Sequence, residues 1–307
     1  MATKREFHIT ASLSLAGALL LWSTVPLFLR SFIDEIDGWT ANGFRYPFGS
    51  IIWFVPLVFL IVRNRIDTRL FRLALIPACV NIFAQVFWAL TPYYLTPGLQ
   101  IFFGQSSVIF SILFSFAVFP DELQLIHSKY FWGGIALCLL GFVGMNVLQG
   151  NFQGEITVVG IIFILLHGLF MGLYGVSVRY YLRGVKPWLS FAVICTYTSI
   201  GLFILMLLLG EPSRLFEMEP SRFVLLCVSA LVGISFAHIL FYHSIIHLGV
   251  SISSGCRLLM PFLTASGSYF IFREIFSVGQ WLSGLLIIAG AGLLMVSQRH
   301  LGKLKQK

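Results

Sequence analysis

The sequence predicts an all-α membrane protein with ten transmembrane helices, arranged as two inverted five-helix repeats around a central cavity. Three observations lead to this fold class: an apolar composition, apolar runs long enough to cross a bilayer, and an internal repeat. Of the 307 residues, 58% are hydrophobic and only 10% are charged, whereas soluble domains contain about 25% charged residues. The chain is therefore a multi-pass membrane protein with little room for a soluble domain.

The predicted spans follow from apolar runs of about 20 residues, the length that crosses a bilayer. The run from Leu73 to Pro120 has no charged residue and is too long for one crossing, so it must turn back near Thr96-Pro97-Gly98. The run from Phe223 to Phe272 turns back near His247-Leu248-Gly249 for the same reason. The predicted spans cover residues 9–29, 39–62, 71–90, 97–119, 130–148, 156–178, 187–210, two crossings within 223–272, and 278–297.

The two halves of the chain correspond at a spacing of about 150 residues. A shift of 152 aligns Glu122 with Glu274 and Gln105 with Arg257. We therefore divide the chain into a first repeat, residues 1–150, and a second repeat, residues 151–307. Because each repeat has an odd number of spans, the two repeats insert with opposite orientations, as in many secondary transporters.

Orientation follows from the loop cations, which collect on the cytoplasmic side of membrane proteins. With both termini inside, 14 of the 20 Lys and Arg residues fall on the cytoplasmic side and four fall outside. The N-terminal segment MATKREFH resembles a signal peptide, but no small-residue cleavage site follows it, so we expect a retained first span. The sequence thus predicts a multi-pass protein of the cytoplasmic (inner) membrane.

Two arginines lie inside predicted spans. Arginine inside an apolar helix costs at least about 2.5 kcal/mol, so it normally faces a bundle interior or a wet cavity. We expect this of Arg257, which lies about eight residues inside its apolar run. Arg45 lies nearer a span end and is expected to snorkel or to pair with an acidic residue of the preceding loop, namely Asp34, Glu35 or Asp37.

Polar and aromatic residues also recur at helical spacing. One face of the third span carries Asn81, Gln85 and Trp88, and one face of the sixth carries His167 and Tyr174. Hydrogen bonding between helices would explain any single stripe, but the aromatic and amide face of the third span exceeds what packing needs. The predicted substrate-binding residues are Arg257, Trp22, Asn81, Gln85, Trp88, Gln105, Tyr174, His167 and His238.

The chemistry of these positions favours a particular kind of ligand. Every Asp and Glu falls in a predicted loop or at a span end, so the membrane interior is neutral to positive. That favours a substrate with a carboxylate, a phosphate or another electron-rich group, or a flat polar ring. Histidines are the candidates for proton coupling, if coupling exists. The sequence has no catalytic triad at membrane depth, no metal or cofactor motif, and no basic face suited to nucleic acid, so we predict a protein that is not an enzyme.

Several short motifs are similar to those of a known family. They include Leu21-Trp22-Ser23, Phe44-Arg45, Phe119-Pro120-Asp121-Glu122, Met260-Pro261 and Phe272-Arg273-Glu274. Together with the repeat they resemble the drug/metabolite transporter superfamily, in its EamA-type ten-helix branch. The family turns usually read Leu-Gly-Glu, and here Asp121 and Arg273 replace the glycine.

The resemblance implies a central cavity lined by spans one, three, four, six, eight and nine, with spans five and ten at the periphery. It also implies alternating access and small-metabolite substrates, such as amino acids or nucleobase-like compounds, which are often exported. We therefore expect a secondary transporter whose partners are a small-molecule substrate, the lipid bilayer and, if coupled, protons. The glycines of spans five and ten could also form a homodimer face. The alternatives are a membrane sensor or scaffold that transports nothing and, less favoured, an intramembrane enzyme acting on lipid.

Overall fold

The computed structural model describes residues 4–30, 35–91, 94–95, 97–149, 157–272 and 277–304. All regular secondary structure in these ranges is helical, which confirms the predicted all-α class. The helices of the first half are α1 (Lys4–Arg30), α2 (Gly38–Val62), α3 (Arg69–Leu90), α4 (Pro97–Gly104), α5 (Ser106–Val118), α6 (Pro120–Leu123) and α7 (Lys129–Gln149).

The second half also consists mainly of long helices, and non-α-helical turns interrupt it at two places. A π-helical turn, Leu231–Phe236, connects α11 to α12, and a 3₁₀ turn, Cys256–Leu259, connects α13 to α14. The helices are α8 (Val158–Tyr181), α9 (Pro187–Leu209), α10 (Arg214–Glu217), α11 (Pro220–Ala230), α12 (Ala237–Leu248), α13 (Val250–Gly255), α14 (Met260–Phe272) and α15 (Val278–Leu304).

Seven helical segments of the described chain are long and apolar enough to cross a membrane. An eighth is obtained if the bent pair Phe102–Val118 and Pro120–His127, which meet at 112°, forms one broken span. The first helix contributes a shorter apolar stretch, Ile9–Val25. These findings confirm a multi-pass membrane protein, whereas the count of ten spans and the inverted repeat stay predictions.

The turn-back point predicted at His247-Leu248-Gly249 is present in the structure. Helix α12 ends at Leu248, and α13 begins at Val250. Gly249 between them has φ 97° and ψ 160°, a conformation that residues with a Cβ essentially never adopt. The glycine therefore allows two helices to meet without a longer loop.

Helix packing places α7 against α15 and α2 against α9. Gly134 and Gly141 of α7 let the backbone of α15 approach closely, because a Cβ on Gly134 would lie 2.8 Å from the carbonyl oxygen of Gly290. In the same way Gly43 of α2 faces Leu202 and Met206 of α9. The glycines of the predicted fifth and tenth spans thus have a packing role within this chain.

Asp37 caps the N-terminus of α2 and joins it to the loop after α9. Its carboxylate accepts hydrogen bonds from the backbone N–H of Thr40 at 2.9 Å, the Thr40 hydroxyl at 2.5 Å and the backbone N–H of Glu211 at 3.1 Å. Partial burial acts to raise the pKa of Asp37, but the hydrogen bonds from Thr40 and Glu211 outweigh it and hold the pKa below its usual value of 3.8.

We expect Asp37→Ala to lower the stability of the protein by about 1 kcal/mol, the usual cost of removing an N-cap. Because the folded-state pKa is depressed, the contribution of Asp37 is complete above the unfolded pKa and is lost as pH falls through the folded value. Thermal unfolding in detergent at pH 7 and at pH 3 measures both effects. The difference between wild type and variant should shrink at the lower pH, and a constant difference would contradict the assignment.

Candidate substrate-binding site

Arg257 lies in the second of the two crossings predicted within residues 223–272, at a point where the chain departs from regular α-helix. The α-helix ends at Gly255, the 3₁₀ turn carries Arg257, and α14 begins at Met260. The Nε atom of Arg257 is buried and has no hydrogen-bond partner. Its guanidinium carbon lies 5.9 Å from the ring centre of Trp22, within the range of a cation–π contact. Within the described ranges, no salt bridge to Arg257 is recorded.

Trp22 of α1 connects this arginine to His238 of α12. The indole Nε1–H donates to the backbone oxygen of Gly233 at 2.9 Å, an acceptor in the π-helical turn. The rings of Trp22 and His238 meet edge to face, with centres 5.1 Å apart and an interplanar angle of 85°. His238 is also stacked on Phe191 of α9 at 5.6 Å. The hydrogen bond and the ring contacts fix the position of Trp22 beside Arg257.

A second Trp–His pair joins α3 to α8. The ring centres of Trp88 and His167 are 4.8 Å apart. A Cβ on Gly104 would lie 3.7 Å from the Trp88 ring, so the break between α4 and α5 lies beside this pair. Gln105, the predicted counterpart of Arg257, occupies that break directly after Gly104 and is half-buried.

The two pairs share a pattern that sequence spacing alone did not indicate. In the predicted repeat, α1 corresponds to α8, and α3 corresponds to the crossing that contains α12. Two tryptophans of the first half therefore each contact a histidine of the second half. Trp22 of α1 contacts α12, the counterpart of α3, and Trp88 of α3 contacts α8, the counterpart of α1. Of the two pairs, the Trp22–His238 pair lies beside Arg257, whose guanidinium carbon is 5.9 Å from the Trp22 ring centre.

The histidine hydrogen bonds determine what each ring can offer a ligand. The Nδ1 atom of His167 lies 2.8 Å from the backbone oxygen of Ala84, and that of His238 lies 3.1 Å from the oxygens of Gly233 and Ile234. A carbonyl oxygen only accepts, so Nδ1 carries the proton in both rings. In the neutral form, Nε2 is then an acceptor, suited to an N–H or O–H group of a ligand.

The other predicted residues have partners within the protein. The Asn81 amide donates to the Thr198 hydroxyl at 3.2 Å, and the Gln85 amide donates to the Asn81 side-chain oxygen at 3.4 Å. The hydroxyl of Tyr174 is hydrogen-bonded to that of Tyr242, and Tyr174 is only 2% exposed. These contacts link α3 to α9 and α8 to α12, so the structure gives Asn81 and Tyr174 a packing role as well.

The structure corrects the expectation for Arg45. This arginine does not snorkel, because it is buried, and its Nε donates to the Ser229 hydroxyl of α11 at 3.0 Å. The three acids proposed as its partners have other places. Asp37 caps α2, and the Glu35 Oε1 atom lies 3.5 Å from the Arg222 Nε atom. Asp34 is outside the described residues. The correct partner is 184 positions away along the chain, which loop proximity could not predict.

Buried hydroxyls without hydrogen-bond partners lie near two of the predicted site residues, Gln105 and Arg257. Ser106 and Ser107, which follow Gln105, and Ser253, four residues before Arg257, each have a buried hydroxyl with no hydrogen-bond partner. Buried polar groups are nearly always satisfied, so such groups call for a water or a ligand. Ser106 and Ser107 begin α5 and Ser253 lies in α13, whereas further unpartnered buried atoms belong to Trp53, Ser190 and Ser199 in α2 and α9.

Metal sites and surface clefts are the two other kinds of site that such a chain could carry. No group of three His, Cys, Asp or Glu residues in the described ranges could hold a metal ion. A surface cleft of about 380 Å³ is lined by Glu35, Arg214, Glu217, Met218 and Glu219, none of which was predicted to bind substrate. The central cavity stays a prediction.

Comparisons with known proteins agree with the resemblance found in the sequence. Residues 158–296 match the EamA-like transporter family. An uncharacterized transporter from Methanothermobacter thermautotrophicus is 30% identical over 191 residues, which cover 61% of this chain and 53% of that protein. The chain thus matches about half of the length of this relative.

A solved structure described only as the crystal structure of a protein is similar over nearly the whole chain. The TM-score is 0.78 with 16% sequence identity, and the match covers 95% of this chain and 97% of the other. At this identity the likeness concerns the fold alone. The family match and the relative named as a transporter, not the solved structure, confirm the predicted resemblance to the drug/metabolite transporter superfamily.

Proposed function

We propose that this chain, which carries an EamA-like transporter domain at residues 158–296, is a secondary transporter of small polar metabolites that bear an anionic group. The family consists of transporters rather than enzymes, which supports a protein that moves its ligand without changing it. Carboxylates such as amino acids, and acidic nucleobase-like compounds, are the substrate classes that fit best.

The single observation that carries the proposal is the state of Arg257. The residue is a permanent cation in a predicted membrane span, and its buried Nε has no hydrogen-bond partner. A cation placed there is costly unless something compensates it. An anionic substrate group would supply two parallel hydrogen bonds to the guanidinium fork, and the Trp22 ring supports the cation from its other side.

The surrounding residues would bind the rest of the ligand. The Nε2 atoms of His167 and His238 offer acceptors to an ammonium or another N–H group, and the Gln105 amide offers both a donor and an acceptor. Trp22 and Trp88 offer aromatic faces to an apolar or flat side chain. One cation with two neutral acceptors suits a zwitterion better than a simple cation.

Transport would proceed by alternating access, as the two halves rock about the Trp–His contacts between them. His167 or His238 would take up a proton if transport is proton-coupled. We place the protein in the cytoplasmic membrane with both termini inside and favour export. A homodimer through α7 and α15 is not needed for this mechanism.

The proposal is tested first by comparing metabolites in cells that overproduce the protein with those in cells that lack it. A small carboxylate should accumulate outside the overproducing cells and inside the deficient ones. Purified protein in liposomes should then exchange the labelled compound across the membrane. If no metabolite changes and none stabilises the purified protein against heat, the sensor or scaffold alternative is the better account.

A further inference from the structure

Glu122 forms a buried contact between the two halves of the chain. It follows α5 in the short helix α6 and is only 2% exposed. Its carboxylate oxygens accept hydrogen bonds from the backbone N–H groups of Val250 at 2.6 Å and Ser251 at 2.7 Å, 128 positions away or more. Glu122 thus caps the start of the same segment that carries Arg257.

Arg179, near the end of α8, completes this contact. Its guanidinium donates to both carboxylates of the acidic turn, reaching Asp121 at 2.8 Å and also pairing with Glu122. The same guanidinium lies 4.2 Å from the Phe119 ring centre. Directly beneath, the hydroxyls of Ser115 in α5 and Ser251 in α13 are hydrogen-bonded. One acidic turn of the first half is therefore held by two separate elements of the second half.

The position of this cluster in the bundle gives it a functional meaning. Arg179 belongs to the cations that the sequence assigns to the cytoplasmic side, so the cluster lies at the predicted cytoplasmic end. Arg257 lies seven residues beyond Val250 on a continuous segment. A displacement of the Glu122 contact would be transmitted directly to Arg257.

We propose that Asp121, Glu122 and Arg179 form a latch that closes the cytoplasmic end of the bundle and separates when the Arg257 site opens to that side. Glu122 is then a positioning residue, because it acts on the substrate through the segment that carries Arg257. The latch is a charged cluster joined to two backbone N–H groups, so it closes in one defined geometry. It rests on the proposed function, since a gate is needed only where something passes.

The first test locks the latch with a disulfide. In the double variant Ser115→Cys/Ser251→Cys, the two thiols replace hydroxyls that are in contact. Oxidation, which forms the disulfide, should lower the transport rate at least about tenfold, and reduction should restore the rate. Each single variant should transport at the wild-type rate. Crosslinked protein that transports at the wild-type rate, or a pair that refuses to crosslink in the resting protein, would overturn the proposal.

The second test does not depend on transport. In the single variant Ser251→Cys, a water-soluble maleimide added from either side reports the opening of the latch. Adding Arg179→Gln should increase labelling from the cytoplasmic side at least about tenfold, because the variant loses both charge-assisted hydrogen bonds of Arg179 and the loss of either one is worth about tenfold or more. Arg183→Gln is the matched control, because Arg183 lies four residues on and is exposed.

Equal labelling of the Arg179→Gln and Arg183→Gln proteins would contradict the latch. The labelling readout also separates this inference from the proposed function. If no substrate is found but labelling changes as expected, the transport proposal fails while the latch remains. If transport is established but labelling does not respond, only the latch fails.

Discussion

Replacing Arg257 by alanine is expected to reduce transport by about 30-fold or more while the protein still inserts and folds. Removing one partner of a desolvated, hydrogen-bonded charge pair costs about 2–5 kcal/mol, and each 1.4 kcal/mol is a factor of ten. The side chain has no salt bridge to a described residue and its Nε has no partner, so its removal breaks no ion pair of the fold. Loss of an uncompensated cation should even leave thermal stability unchanged or raised.

The controls for this variant separate charge from geometry. Arg257→Lys keeps the charge but loses the planar fork, so it should retain part of the activity with weakened substrate binding. Arg214→Ala removes an exposed arginine whose Nε pairs with Glu211 at 2.9 Å, away from the predicted site, and should transport normally. Wild-type transport by Arg257→Ala, at equal protein in the membrane, would remove Arg257 from the site.

Replacing Gly249 by alanine is expected to lower the melting temperature by several degrees. The backbone conformation at this position costs a residue with a Cβ about 1–3 kcal/mol. In addition, the new Cβ would lie 2.9 Å from a carboxylate oxygen of Glu122, so the latch would have to shift. Thermal unfolding of the purified variant measures the sum of the two effects.

Gly184→Ala provides the matched control. Gly184 also has a positive φ, 84°, but a Cβ there would meet nothing within 4 Å. The Gly184 variant therefore carries backbone strain alone, and Gly249→Ala should be the more destabilised of the two. Equal losses of melting temperature would mean that the Glu122 side chain moves away from the new Cβ at little cost. That result would argue against a tightly held latch.

Local features were predicted well because their causes lie within a few residues. The apolar runs fixed the positions of most helices, and the segment at His247-Leu248-Gly249 was recognised as a turn from its breaker alone. Arg257 was recognised because burying a cation is costly wherever the chain folds. The acid-free character of the predicted site followed from the positions of Asp and Glu in loops.

Contacts between distant parts of the chain could not be predicted in the same way. The partner of Arg45 is Ser229, and the partners of Glu122 are two backbone N–H groups of the other half. The sequence marked Glu122 as part of an acidic turn but could not show which element the turn faces. Periodicity placed Tyr174 on a polar face, yet only the packing of α8 on α12 shows that this face meets Tyr242.

The pairing of Trp22 with His238 and of Trp88 with His167 is a similar case. All four residues were predicted as site residues from their own spans. That each tryptophan contacts the histidine of the opposite half depends on how the halves dock, which no local pattern encodes.

The central claim is that Arg257 binds the anionic group of the substrate. The most direct measurement compares a transported carboxylate with its uncharged carboxamide analogue, by the rise in melting temperature of purified wild-type and Arg257→Gln protein. We expect the carboxylate to stabilise wild type much more strongly than the carboxamide, and the preference to disappear in Arg257→Gln. Equal preference in the two proteins would contradict the account.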